Sequence, residues 1–88
     1  MTREITTSTG TVFTVRALKR GEIRKLREQG VDVFNFEGEA AISNMDPVLD
    51  VVFPASAELD ELPFRDAAEV YRGIIAETLG TEEEVKNS

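Results

Sequence analysis

The sequence predicts an α+β fold: an N-terminal β-hairpin followed by about three α-helices, mostly helical overall, with an acidic C-terminal tail. Three observations carry this. Apolar and polar residues alternate after Ser8-Thr9-Gly10, the chemistry of a hairpin turn. Beyond Lys19 the apolar residues recur at spacings of three and four, the period of a helix face. Gly30 and Gly80 stand just past two of these runs, where a left-handed residue ends a helix. With 88 residues the chain has room for one small domain, taken as residues 1–80, and residues 81–88 are expected to form a disordered tail or linker.

In the hairpin, Ile5-Thr6-Thr7 and Val12-Phe13-Thr14-Val15 form the strands, with Gly10 in the left-handed position of the turn. Phe13 and Val15 share one face with Ala17, and Val12, Thr14 and Arg16 share the other. A lone hairpin is marginal in water, so Phe13 and Val15 are expected to pack on a helix.

Lys19 to Gln29 reads as the first helix, closed by Gly30. Ile23 and Leu26 give it a narrow apolar edge. Arg20, Arg24 and Arg27 recur at i, i+4 and i+7 and form a basic row beside that edge. Val31 to Asn44 fits neither period. Of Phe34 and Phe36, one is expected in the core and one on the surface, with the order left open; Glu39 to Ile42 makes a helical turn or runs into the next element.

Asp46-Pro47 reads as the N-cap and first residue of a second helix whose stripe is Met45, Val48, Leu49, Val52 and Phe53, ended by Pro54. Ala55 to Glu61 reads as a connector. Pro63 to Leu79 is the best-defined helix, with Phe64, Ala67, Ala68, Tyr71, Ile74, Ile75 and Thr78 on one face and either Asp60 or Leu62 as N-cap. The expected core is Phe13, Val15, Leu26, Leu49, Val52, Phe64, Tyr71, Ile74 and Ile75.

The charge is sorted along the chain. From Met1 to Gly30 seven cations face three acids, a balance of +4; from Val31 to Ser88 three cations face fourteen acids, a balance of −11, for a total of −7. Such asymmetry marks surfaces that meet different partners, or a head-to-tail contact between copies. It argues against nucleic acid as a bulk partner. No apolar run approaches the roughly 20 residues of a membrane span, and Met1-Thr2-Arg3-Glu4 does not begin a signal peptide.

Catalytic chemistry finds few candidates. The chain has no His and no Cys, hence no imidazole base, thiolate nucleophile or Cys/His metal site, and lack of Cys suits a reducing cytosol. No glycine-rich phosphate loop is present. The carboxylate pairs Asp46/Asp50 and Asp66/Glu69, and the run Glu82 to Glu84, are expected at exposed helix positions or in the tail, where they cannot divide into acid and base. No catalytic, cofactor-binding or metal-binding residues are assigned. The candidate partner-binding residues are Arg20, Arg24, Arg27, Phe34 and Phe36.

Three segments together resemble a known family: Phe13 to Arg27 (FTVRALKRGEIRKLR), Asp46 to Phe53 (DPVLDVVF) and Leu59 to Glu69 (LDELPFRDAAE). Their order and spacing are similar to those of the small tail assembly chaperones of tailed bacteriophages, in which a TVR-x-L-x-x-GE pattern and an LDELP-x-x-DA pattern recur. The resemblance spans Val12 to Leu79. It departs at Lys19, where a Ser or Thr would cap the first helix, leaving Glu22 without a capping-box partner.

The resemblance implies a non-catalytic protein of the bacterial host cytoplasm. Its client would be the long, aggregation-prone tape measure protein, kept soluble until tube subunits polymerise around it, with the tail tube protein as a further partner and weak homo-oligomers. No cofactor, nucleic acid or membrane is implied. Many such chaperones are extended by a backward ribosomal slip of one nucleotide, and Val85-Lys86-Asn87 is compatible with a slippery A AAA AAC heptamer. Two alternatives stand behind the chaperone: a structural tail subunit such as a completion or terminator protein, then an acidic regulatory module that mimics DNA.

Overall fold

The computed structural model describes residues 2–35 and 37–80. Strands β1 (Thr2–Thr6) and β2 (Val12–Arg16) pair antiparallel, Arg3 opposite Val15 and Ile5 opposite Phe13. The alternation works as expected: Phe13 and Val15 are buried, while Val12 and Thr14 are exposed. Gly10 adopts φ +87° in the turn, which Thr7 closes by donating its N–H to the Thr11 carbonyl at 2.9 Å.

The remaining elements are α1 (Arg20–Glu28), α2 (Gly38–Val52), α3 (Ala57–Asp60) and α4 (Phe64–Leu79). Helix α4 lies across both strands, α2 packs on α4, and α1 packs on α2. One core runs through all of them, from Phe13, Val15 and Leu18 through Leu26, Met45, Val48 and Leu49 to Val70, Tyr71, Ile74 and Ile75. Phe13 meets Phe53 edge to face, with ring centroids 5.6 Å apart.

Gly73 sets how closely α4 approaches the hairpin. A Cβ there would sit 2.9 Å from Ile5 Cδ1 and 3.2 Å from Val15 Cγ2, inside normal contact distance. A side chain at this position would force Ile5, Val15 or the helix itself to shift.

Helix α1 ends as Gly30 suggests, one position past its C-cap Gln29. Gly30 (φ +87°) donates to the Arg27 carbonyl at 3.0 Å, and Val31 donates to the Leu26 carbonyl at 2.8 Å, a Schellman closure with Leu26 and Val31 both buried. Gly80 (φ +67°) is likewise the left-handed C-cap of α4.

Several expectations are corrected. Helix α2 starts at Gly38, about two turns before Asp46-Pro47, so Asp46 is no N-cap and Pro47 lies inside the helix. The stripe that faces the core is Ala41, Asn44, Met45, Val48, Leu49 and Val52, and the polar Asn44 hides its continuity. Pro47 removes the N–H that would bond the Ser43 carbonyl, at a residue exposed to water. The connector from Ala55 to Glu61 contains the one-turn helix α3, where Ser56 Oγ accepts the Leu59 N–H at 3.1 Å, so the described residues form four helices, one of them very short. Pro63, not Asp60 or Leu62, is the N-cap of α4.

Two expected core residues also differ. Phe64 is 59% exposed, at the edge of a shallow hollow it shares with Leu49 of α2 and Leu59 of α3. Val52 is only half-buried. Asp66, expected at the surface, is buried, and its carboxylate accepts hydrogen bonds from Ser8 in the hairpin turn. The tail from Thr81 to Ser88, with the linker expected there, lies outside the described residues.

Candidate protein-interaction groove

The basic row is aimed by the start of α1. Lys19, the N-cap, has a side chain that can only donate, so it cannot cap the helix itself. Glu22 does the work instead: its Oε1 accepts the Lys19 backbone N–H at 2.8 Å, half of a capping box. The same carboxylate takes a bidentate pair from Arg16, with both N–O distances 2.9 Å. Lys19 offers no reciprocal side-chain cap, as expected, yet Glu22 bonds the Lys19 backbone N–H and the Arg16 guanidinium.

The hydrogen bonds from Arg16 hold the Glu22 carboxyl down to about 2 from an ordinary 4.5, against a smaller opposing effect of burial, with the Lys19 N–H helping. The same hydrogen bonds raise the Arg16 guanidinium. The result is a fixed corner between β2 and α1. Thr78 of α4 braces it from behind, accepting the Leu18 N–H at 2.9 Å and donating to the Ile74 carbonyl at 2.7 Å.

On the far side of α1, the Schellman turn sends the chain back along the helix. Asn44, buried on α2, donates both amide hydrogens into this return loop, to the Asp32 carbonyl at 2.7 Å and the Asn35 carbonyl at 3.0 Å. The Asp32 carboxylate accepts the Phe34 N–H at 3.1 Å. The loop is thereby held so that Val31 and Val33 enter the core while Phe34 stays outside, 49% exposed.

These anchors bring the residues together. Leu18, Arg20, Ile23, Arg24, Arg27, Phe34 and Thr78 line one open groove of about 410 Å³. Four of the five candidate residues share it: Arg20, Arg24, Arg27 and Phe34. Phe36 lies outside the described residues. Leu18 and Ile23, not among those candidates, supply the apolar floor, and no carboxylate lines the groove among the described residues.

Comparison with protein-family models, with curated proteins and with solved structures finds no match.

The groove combines positive charge with apolar surface. Three exposed guanidiniums offer planar forks for carboxylates, and an aromatic ring beside an aliphatic floor receives an apolar side chain. An acidic amphipathic segment meets both demands. A second concavity, about 300 Å³ between α2 and α4, is lined by Ala41, Met45, Tyr71 and Ile75 among others. Nearby, the buried Tyr71 hydroxyl has no hydrogen-bond partner among the described residues, and burial raises its pKa. No group of three or more His, Cys, Asp or Glu side chains converges as a metal site among the described residues. No helix among them is long and apolar enough to cross a membrane.

Proposed function

We propose that this chain is a non-catalytic tail assembly chaperone of the tailed-phage type, which binds the tape measure protein and keeps it soluble in the cytoplasm of the bacterial host. The observation that supports this reading is the basic groove, where Arg20, Arg24 and Arg27 surround the exposed Phe34 and the half-buried Ile23. Such a surface suits an amphipathic helix with an acidic edge, the segment a long helical client exposes before it is enclosed. Solvent-exposed ion pairs are individually weak, so the grip is reversible, as a factor displaced by tube subunits requires.

Co-expression tests the proposal. The chain is expected to raise the soluble yield of a long, helical tape-measure protein and to be missing from finished tails. Replacing Arg20, Arg24 and Arg27 with Glu should abolish that gain while leaving helix content unchanged. Purified tails that retain the chain in stoichiometric amounts would make it a structural subunit instead.

A further inference from the structure

Helix α4 connects two concavities of opposite charge. Thr78, near its C-terminus, lines the basic groove; Phe64, at its N-terminus, lines a second hollow of about 240 Å³. The helix between these residues is about 21 Å long.

The Phe64 hollow mirrors the groove in composition. Leu49, Leu59 and Leu62 provide its apolar lining, Phe64 is 59% exposed where Phe34 is 49% exposed, and Asp46, Asp50 and Asp60 stand where the groove has three arginines. No cation lines this hollow among the described residues. Exposed Glu58 and Glu61 add to its charge. Lys25, which shares the adjoining α1–α2 cleft with Asp46 and Asp50, and Arg65 beside Phe64 offset only part of it.

We propose that the basic groove binds the acidic Phe64 end of a second copy of this chain, head to tail. This names a partner for the same groove and rests on its reading as a protein-binding surface. Three arginines meet three aspartates, and the protruding Phe64 lies against Phe34 and Ile23. Because the two surfaces differ and occupy opposite ends of α4, the contact is heterologous: each added copy presents a free groove or a free acidic end to the next. Exposed ion pairs make it salt-sensitive and readily reversed.

Sedimentation of the intact chain tests this. At low ionic strength the wild-type mass should grow with concentration beyond a dimer and return to the monomer in high salt. Two variants then separate the ends: Arg20→Gln/Arg24→Gln/Arg27→Gln blocks the groove, and Asp46→Asn/Asp50→Asn/Asp60→Asn blocks the acidic end. All six positions are exposed, so circular dichroism should show wild-type helix content in both. Each variant alone should be monomeric, and an equimolar mixture should form a 1:1 pair that grows no further. A wild type that stays monomeric or stops at a dimer, or a mixture that remains monomeric, overturns the proposal. Client solubilisation by a wild type that never self-associates would overturn it while sparing the reading of the groove.

Discussion

Asp66, in the first turn of α4, and Ser8, in the hairpin turn, form a latch in which a buried carboxylate is held by an exposed serine. The Asp66 carboxylate accepts the Ser8 hydroxyl at 2.6 Å and the Ser8 backbone N–H at 3.2 Å, across 58 residues of sequence. An acid in this helical turn is favoured by the helix dipole, and here it serves a distant loop rather than capping its own helix.

Ser8→Ala should therefore cost far more than an ordinary exposed serine. Removing a hydrogen bond to a buried carboxylate is worth about 1–3 kcal/mol, against about 0.5 kcal/mol or less for a typical surface change. A urea unfolding midpoint equal to that of the wild type would show that the latch holds nothing. Asp66→Ala should be non-additive with Ser8→Ala, because it removes the same hydroxyl bond, and it should cost more because it also removes the bond from the Ser8 backbone N–H.

The Glu22 corner makes an acid-sensitive contribution. Its carboxyl is held near 2 in the folded chain and titrates near 4.5 when unfolded. The stabilisation is therefore complete above about 4.5 and is lost as pH falls from there towards 2. Glu22→Gln should destabilise by about 1–2 kcal/mol at neutral pH, a charge-assisted pair reduced for partial exposure. The melting temperatures of variant and wild type should converge as the solution is acidified. A gap independent of pH would assign the loss to packing instead.

Gly73→Ala sets two effects against each other. Alanine favours a helix interior by about 1 kcal/mol, but the added methyl meets Ile5 and Val15. Overpacking of this kind costs about 1–3 kcal/mol, so a net loss is expected. Ile5→Ala, which removes both the Cδ1 and Cγ1 atoms 2.9 and 3.0 Å away, should make the added Gly73→Ala methyl much less costly than it is in the wild-type background. A Gly73→Ala chain more stable than wild type would show that α4 can lift from the hairpin at little cost.

Tyr71→Phe removes a buried hydroxyl that lacks a partner, so its stability should equal or slightly exceed that of wild type. Ile74→Asp, at a fully buried position of the same helix, should unfold the domain. Tyr71 is the only tyrosine and there is no tryptophan, so phenolate absorbance reports this residue alone. Its midpoint should lie above 10, and a midpoint at or below 10 would place the hydroxyl in water.

Local signals were the legible ones. Ser8-Thr9-Gly10, Gly30 and Gly80 need left-handed residues for reasons contained within a few positions, and each sits at the end or turn it suggests. The spacing of Arg20, Arg24 and Arg27 likewise places them along one helix without reference to anything else. What stayed hidden depends on distant partners. Asp46-Pro47 has every local mark of a helix start, yet α2 tolerates the proline because the carbonyl it deprives belongs to exposed Ser43. Asp66 looks like an exposed helix-start acid until Ser8 folds over it. Phe64 continues an apolar stripe, but whether anything covers it depends on where α2 and α3 stand around the start of α4. Phe34 could not be assigned a side because Asn44, the residue that decides it, reads as a polar break in its own helix.

The Asn44 amide has a consequence for any encounter at the groove. With both of its hydrogens committed to carbonyls of the Asp32–Asn35 loop, the aromatic wall carried by that loop is set when the domain folds. In the binding proposed above, an arriving segment would meet an aromatic wall already held in place, and the entropy of ordering it would not subtract from affinity. Flexibility on the protein side then resides in the three arginine side chains, which can follow carboxylates of varied spacing. A firm aromatic ledge beside adaptable cations would let the same groove take the proposed client and the acidic end of a second copy.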